Sequence, residues 1–195
     1  DYADNFGFDT ESFAPDLSLA LGTHAVSPLE LATAYTALAN GGYKVEPYLI
    51  QRIESLSRET LFEAQPLKVC RRCDQDTDEV TGEEELSMEQ ILQQPDATAQ
   101  DAHQAPRVMD ARVNFIVDSI LQDVITRGTG RRALVLERGD IAGKTGTTNG
   151  PMDAWFSGYN RDIVTTTWVG FDNYTPLGKR EFGGTAALPI WINFM

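Results

Sequence analysis

The chain has 195 residues, 42% of them apolar and 23% charged, which suits one sizeable globular domain or most of one. It contains no run of about 18 apolar residues, so nothing in it reads as a membrane span. Its 29 acidic residues against 16 basic ones give a net charge of −13, which repels nucleic acid and anionic lipid and excludes a nucleic-acid binder.

Asp1-Tyr2-Ala3-Asp4 has neither the basic nor the apolar region of a signal peptide. Residues 1–25 read as polar and irregular, turning apolar at Leu17, Leu19, Ala20 and Leu21. Ser27-Pro28-Leu29-Glu30 predicts a helix start: Ser27 caps, Pro28 suits the first turn, and Glu30 reaches back to close a capping box. Leu31, Ala34, Tyr35 and Leu38 keep helical spacing, and Gly41-Gly42 supplies the stop. A strand is predicted over 43–53, with Pro47 marking it as an edge or as starting after the proline. Glu59 to Glu63 reads as the second arm of a hairpin.

Residues 66–107 change character and read as a polar surface insertion with a short helix near Met88–Leu92. Between Asp74 and Glu89 lie eight acids and no base, a solvated loop able to meet a basic partner. Cys70 and Cys73 form a lone C-x-x-C. A zinc site would need two more ligands. His24 and His103 stand at unhelpful spacing, so the pair reads as a local disulfide or two free thiols. Neither a metal site nor a cofactor motif is read anywhere in the chain.

Asp110 to Arg127 carries the clearest helical pattern, an apolar stripe of Val113, Ile116, Val117, Ile120, Leu121 and Val124. Asp110 serves as cap and Arg127-Gly128 as end. Gly128-Thr129-Gly130-Arg131-Arg132 follows as a flexible basic turn. From Ile141 the period becomes two: 141–147, 154–160 and 163–171 read as three strands. The short links at Asn149-Gly150 and Asn160-Arg161-Asp162 imply an antiparallel meander. Residues 186–192 read as the start of a helix. Helices followed by an antiparallel sheet give an α+β fold.

The chemistry concentrates at Lys144-Thr145-Gly146-Thr147-Thr148-Asn149, on the first strand of the meander. A lysine here sets a cation beside a nucleophile and lowers a hydroxyl pKa or stabilises its anion. Gly146 admits a close backbone approach. The hydroxyls of Thr145 and Thr147 suit a carboxylate. An exposed strand edge offers N–H groups to an oxyanion and pairs with an extended peptide.

Lys-Thr-Gly is one of three motifs of penicillin-binding proteins and serine β-lactamases. Gly143 to Asn149, Asp153-Ala154-Trp155-Phe156-Ser157-Gly158-Tyr159 and Trp168-Val169-Gly170-Phe171-Asp172 resemble successive strands of class A (bifunctional) penicillin-binding proteins of the 1a type. Leu21-Gly22, Ser27 to Ala32, Asn40-Gly41-Gly42 and Arg127-Gly128-Thr129-Gly130 fit the same family. The likeness spans most of 17–65 and 108–195 and leaves out the acidic insertion.

The resemblance implies the transpeptidase fold of that family, with residues 1–195 as the C-terminal part of the domain. It implies cross-linking of peptidoglycan stem peptides through an acylated serine, with β-lactams acylating that serine. Lys144 and Thr147 would be catalytic, Thr147 through its backbone N–H. Thr145, Gly146, Thr147 and Thr148 would bind substrate. The serine motifs Ser-x-x-Lys and Ser-x-Asn match none of the eight serines: Ser12, Ser18, Ser27, Ser55, Ser57, Ser87, Ser119 and Ser157. The nucleophile is therefore expected from an N-terminal segment of the same protein, so that this chain alone would be inactive. The implied location is the periplasmic face of the bacterial inner membrane, through an anchor outside this chain.

Two other readings stand beside this one: a D,D-carboxypeptidase or serine β-lactamase fragment, and a non-catalytic peptidoglycan-binding module. Trp155, Phe156 and Trp168 read as sheet packing. His24 reads as a capping or packing residue, Arg131 and Arg132 as a solvated turn. Asp153 and Asp172 read as solvated strand ends or salt-bridge partners rather than paired acids.

Overall fold

The computed structural model describes residues 2–14, 16–69 and 103–195. The cysteine pair, the acidic run and the helix expected near Met88 lie outside the described residues. Two compact units emerge, one from 1–44 with 107–195, the other from 45–106.

In the larger unit residues 2–14 and 16–25 are more ordered than expected. They form helix α1 (Tyr2–Asn5) and two 3₁₀ turns, Thr10–Ser12 and Leu17–Leu21. The signal was local and small. Asp9 and Asp16 cap the two turns through their carboxylates, and Gly22 ends the second at φ 72°.

Helix α2 (Pro28–Ala39) starts as predicted, with both halves of the Ser27/Glu30 capping box formed. It stops at Gly41 and Gly42, whose φ of 93° and 100° lie in the region that favours glycine. Helix α3 (Ala111–Thr126) is capped by the Asp110 carboxylate, which accepts from the Arg112 N–H. Its stripe divides. Leu121 and Ile125 are buried and Val117 is half-buried, whereas Val113, Ile116 and Ile120 are exposed. The inward line passes through Asn114, whose amide donates to the Leu38 carbonyl and ties α3 to α2.

The expected meander is present as β3 (Ala142–Thr147), β4 (Ala154–Tyr159) and β5 (Val164–Val169), antiparallel in the order β3-β4-β5. The Asn160 side chain accepts from the N–H groups of Asp162 and Ile163 and shapes the second turn. A six-residue 3₁₀ segment, Arg131–Leu136, stands after the basic turn. After β5 the chain makes a π-helical turn, Gly183–Ala187, and continues into helix α4 (Leu188–Phe194).

Each face of the sheet has its own core. On one, Phe156, Ala154, Ile125, Leu188 and Trp191 are packed together and nearly solvent-free. The Phe156 and Trp191 rings meet edge to face at 4.9 Å. On the other, Ala142, Tyr159 and Leu121 pack with Tyr35 and Leu38 of α2. The Tyr159 hydroxyl donates to Asp118 at 2.8 Å, which fastens β4 to α3. Burial pushes the Tyr35 phenol up to about 12 and, with Asp118 beside it, drives that of Tyr159 higher still.

The smaller unit holds a hairpin of β1 (Arg52–Glu54) and β2 (Thr60–Glu63), with a register shift between Ile53 and Glu54. The predicted strand over 43–53 is much shorter. Pro47 has no N–H to give a ladder, and Tyr43 instead makes an isolated bridge with Arg107 in the larger unit. Together the helices and antiparallel sheets make an α+β protein.

Candidate active site

Strand β3 is an edge strand, and its pairing fixes which groups it presents. The Thr148 N–H donates to the Asp153 carbonyl, just beyond the Thr147–Ala154 pair. Hydrogen-bonded pairs alternate along an antiparallel ladder. Residues 144, 146 and 148 therefore turn their backbone groups toward β4. Thr145 and Thr147 turn theirs toward the open edge.

Side chains alternate as well. Lys144 and Gly146 lie on the face shared with Ser157 and Trp155, their register partners. Thr145 and Thr147 lie on the opposite face. Lys144 is exposed, and its ammonium curls over the edge to donate to the Thr145 carbonyl at 2.7 Å. The outer end of β3 thus collects a lysine ammonium, the outward N–H of Thr147 and two threonine hydroxyls.

Each hydroxyl is held. The Gly183 N–H donates to Thr147 Oγ1 at 3.0 Å, which occupies a lone pair and leaves the hydroxyl proton for an acceptor. Thr145 Oγ1 lies 2.7 Å from Thr129 Oγ1. Gly183 has no room for a side chain: a Cβ there would stand 2.5 Å from the Gly146 carbonyl oxygen and 2.3 Å from that of Trp155. Its glycine lets the π-helical turn lie flat on the strand and aim an N–H at Thr147.

The Thr148 hydroxyl is held as well. Its oxygen accepts from the N–H groups of Met152 and Asp153 and closes the turn between β3 and β4. A Cβ at Gly146 would touch Trp155 at 3.1 Å, so the Trp155 side chain flanks the motif on the lysine face. Trp155 packs on Trp168 with ring centroids 6.0 Å apart, and the Trp168 indole donates to Asp153. Asp153 is therefore a hydrogen-bond acceptor for a tryptophan. Elsewhere, His24 accepts from the Ala14 N–H and stacks near Phe13, the packing role expected of it. Among the described residues no group of three or more His, Cys, Asp and Glu gathers to hold a metal, and no helix is long and apolar enough to cross a membrane.

Five of the residues singled out in sequence, Lys144 to Thr148, sit together at the end of β3. Thr129 and Gly183 were not read as site residues. Thr129 stands 16 positions from its partner and Gly183 36 positions from Thr147, so no local pattern links them. The surviving sequence cue is the presence of Gly128-Thr129-Gly130 and Gly183-Gly184 at irregular breaks.

The penicillin binding protein transpeptidase domain family matches residues 4–191. The whole chain aligns with penicillin-binding protein 1A of Pseudomonas aeruginosa at 47% identity, covering 25% of that protein. It aligns likewise with penicillin-binding protein 1A of Neisseria cinerea at 37% identity, covering 20%. The crystal structure of penicillin-binding protein 1A from Haemophilus influenzae superposes on 98% of the chain with a TM-score of 0.81 at 35% identity, covering 29% of that chain. The chain thus spans about a quarter of the length of the relatives it matches. An edge strand with Lys-Thr-Gly-Thr and a match over nearly the whole chain lead to one conclusion: the chain belongs to the penicillin-binding protein transpeptidase domain family.

Proposed function

We propose that this chain forms the substrate-binding wall of a peptidoglycan D,D-transpeptidase. The observation that carries the reading is the outer end of β3. There Lys144, the outward N–H of Thr147 and the hydroxyls of Thr145 and Thr147 converge on one exposed edge.

Each group has a task in acyl transfer. The serine gives up its proton to a base outside residues 1–195, and its oxygen attacks the carbonyl of a stem peptide or β-lactam. Negative charge gathers on the carbonyl oxygen until the C–N bond breaks, and the leaving nitrogen (of the terminal D-alanine, or of the opened lactam ring) takes up the proton. The Thr147 N–H meets that oxyanion. The lysine ammonium, free to leave a neutral carbonyl for a charged partner, stabilises the anionic serine. The threonine hydroxyls hold the ligand carboxylate, and Gly146 lets the ligand backbone lie close. Thr148 keeps the end of the strand in place. An extended peptide adds to the β3 edge through the outward groups of Thr145 and Thr147.

In this reading residues 1–195 are the C-terminal part of a transpeptidase domain, and 66–107 is a surface insertion in it. The nucleophilic serine belongs to an N-terminal segment of the same protein, and the 195 residues alone do not react. The substrates are peptidoglycan stem peptides, and β-lactams are pseudo-substrates. The site faces the periplasm from the inner membrane.

The test uses the complete protein and fluorescent penicillin. Wild-type protein is expected to label, and Lys144→Ala to label about 10²–10³ times more slowly while remaining folded. Equal rates would remove Lys144 from the chemistry. Product analysis then fixes the reaction: cross-linked dimers support transpeptidation, whereas released D-alanine without dimers supports a carboxypeptidase.

A further inference from the structure

Thr129 makes a contact that the reaction scheme leaves unused. Its hydroxyl oxygen lies 2.7 Å from that of Thr145, and either can be the donor. Two hydroxyls in contact share one proton and leave the other free. When an anion approaches Thr145, the arrangement that serves it has Thr129 donating to Thr145 and Thr145 donating to the anion. The chain of donors polarises each member and strengthens the outer bond.

The loop that carries Thr129 is built to hold it there. After α3 the chain turns back on the helix, and the Gly130 N–H donates to the Val124 carbonyl at 2.9 Å. A Cβ at Gly128 would stand 2.7 Å from Val124 Cα, and one at Gly130 would stand 2.8 Å from Ile125 Cδ1. Only glycines at 128 and 130 let the loop lie so flat against the last helical turn. Gly184 closes the other side. A Cβ there would lie 3.1 Å from the Thr129 carbonyl oxygen and 3.8 Å from Thr145 Cγ2. Thr129 is thereby held between α3 and the π-helical turn, with its hydroxyl on Thr145.

Thr147 is served the same way by a different donor, the Gly183 N–H. Both hydroxyls of β3 thus have an inner partner able to leave the outer proton for a ligand. For Thr147 the donor is fixed. For Thr145 it is a side chain that rotates and can be substituted. We infer that Thr129 is a positioning residue for ligand carboxylates, setting Thr145 as a hydrogen-bond donor and so selecting anionic over neutral ligands at this edge. The inference rests on reading β3 as the carboxylate-binding strand.

The experiment compares acylation of the complete protein by a penicillin and by the methyl ester of the same penicillin. The variants are Thr129→Val, which keeps the shape and loses the hydroxyl, and Thr129→Ser, which keeps the hydroxyl. Wild-type protein is expected to prefer the free acid. Thr129→Val is expected to lose about tenfold or more in acylation efficiency toward the acid and to leave the ester rate unchanged. Thr129→Ser is expected to restore the preference. Thermal unfolding of each variant separates this from loss of fold. A preference that survives in Thr129→Val, or an equal loss toward acid and ester, overturns the role of Thr129 alone. Wild-type protein that acylates without preference for the acid overturns the carboxylate reading of β3 and this inference with it.

Discussion

Thr145 and Thr147 are two residues apart, on one face of one strand, and are held by different means. A backbone N–H holds Thr147 and a side-chain hydroxyl holds Thr145. Removal of the two hydroxyls should therefore be unequal in its side effects. Thr147→Val leaves the Gly183 N–H without its acceptor, part-buried, and is expected to cost about 1–3 kcal/mol of stability as well as ligand affinity. Thr145→Val leaves a threonine hydroxyl that can turn to solvent, and is expected to cost affinity with little change in melting temperature. Calorimetry alongside penicillin acylation separates the two effects.

Asp110 gives a second prediction at this scale. The Arg112 guanidinium and N–H hold its carboxyl at about 2. Because the folded value lies below the usual 3.9 or so, what this group adds to the start of α3 is complete above pH about 4 and is lost as pH falls through about 2. An NMR titration is expected to find the midpoint near 2, and to find it moved up toward the ordinary carboxylate range in Arg112→Ala.

Elements with local signals were legible in the sequence. The Ser27/Glu30 box, the Gly41-Gly42 stop, the Asp110 cap and the three strands of the meander each need only a few neighbouring residues, and each appears within a residue or two of its expected place. The short 3₁₀ turns near the start were missed because their caps, Asp9 and Asp16, have no periodic run behind them. The strand expected from Tyr43 contracted because alternation by itself does not provide a partner. The stripe of α3 divided because Leu121 and Ile125 pack on the sheet, whereas Val113, Ile116 and Ile120 turn away from it. Of the site, the motif on β3 was legible, and its supports on the 127–130 turn and at Gly183 were not, since folding alone brings them near.

The capping box yields a test at the scale of the element. Ser27→Ala removes the acceptor for the Glu30 N–H and is expected to cost about 1 kcal/mol, seen as faster amide exchange in the first turn of α2. The π-helical turn yields another. Gly183→Ala drives a methyl group into two backbone carbonyls that cannot swing aside. It is expected to cost about 1–3 kcal/mol or more and to displace the N–H from Thr147, slowing acylation together with lowering stability.

In the larger unit, the two cores and the outer edge of β3 explain each other. Phe156, Trp191 and Ile125 pin one face of the sheet, Tyr159 and Tyr35 the other, and the strands they hold carry β3 with its outer groups exposed. Rigid packing behind the strand keeps the ammonium, the outward N–H and the two hydroxyls in fixed register, as the proposed ligand site requires. Trp191→Ala, which truncates the largest fully buried side chain among the described residues, is expected to cost about 3–5 kcal/mol and to abolish penicillin labelling by loss of the fold.

In the proposed function this chain binds the acylating ligand while a serine outside residues 1–195 takes the acyl group. Penicillin treatment of the complete protein, followed by proteolysis and mass spectrometry, locates the adduct. A single penicilloyl serine outside residues 1–195 is expected, formed more slowly in Lys144→Ala. An adduct on any of the eight serines of this chain would contradict it.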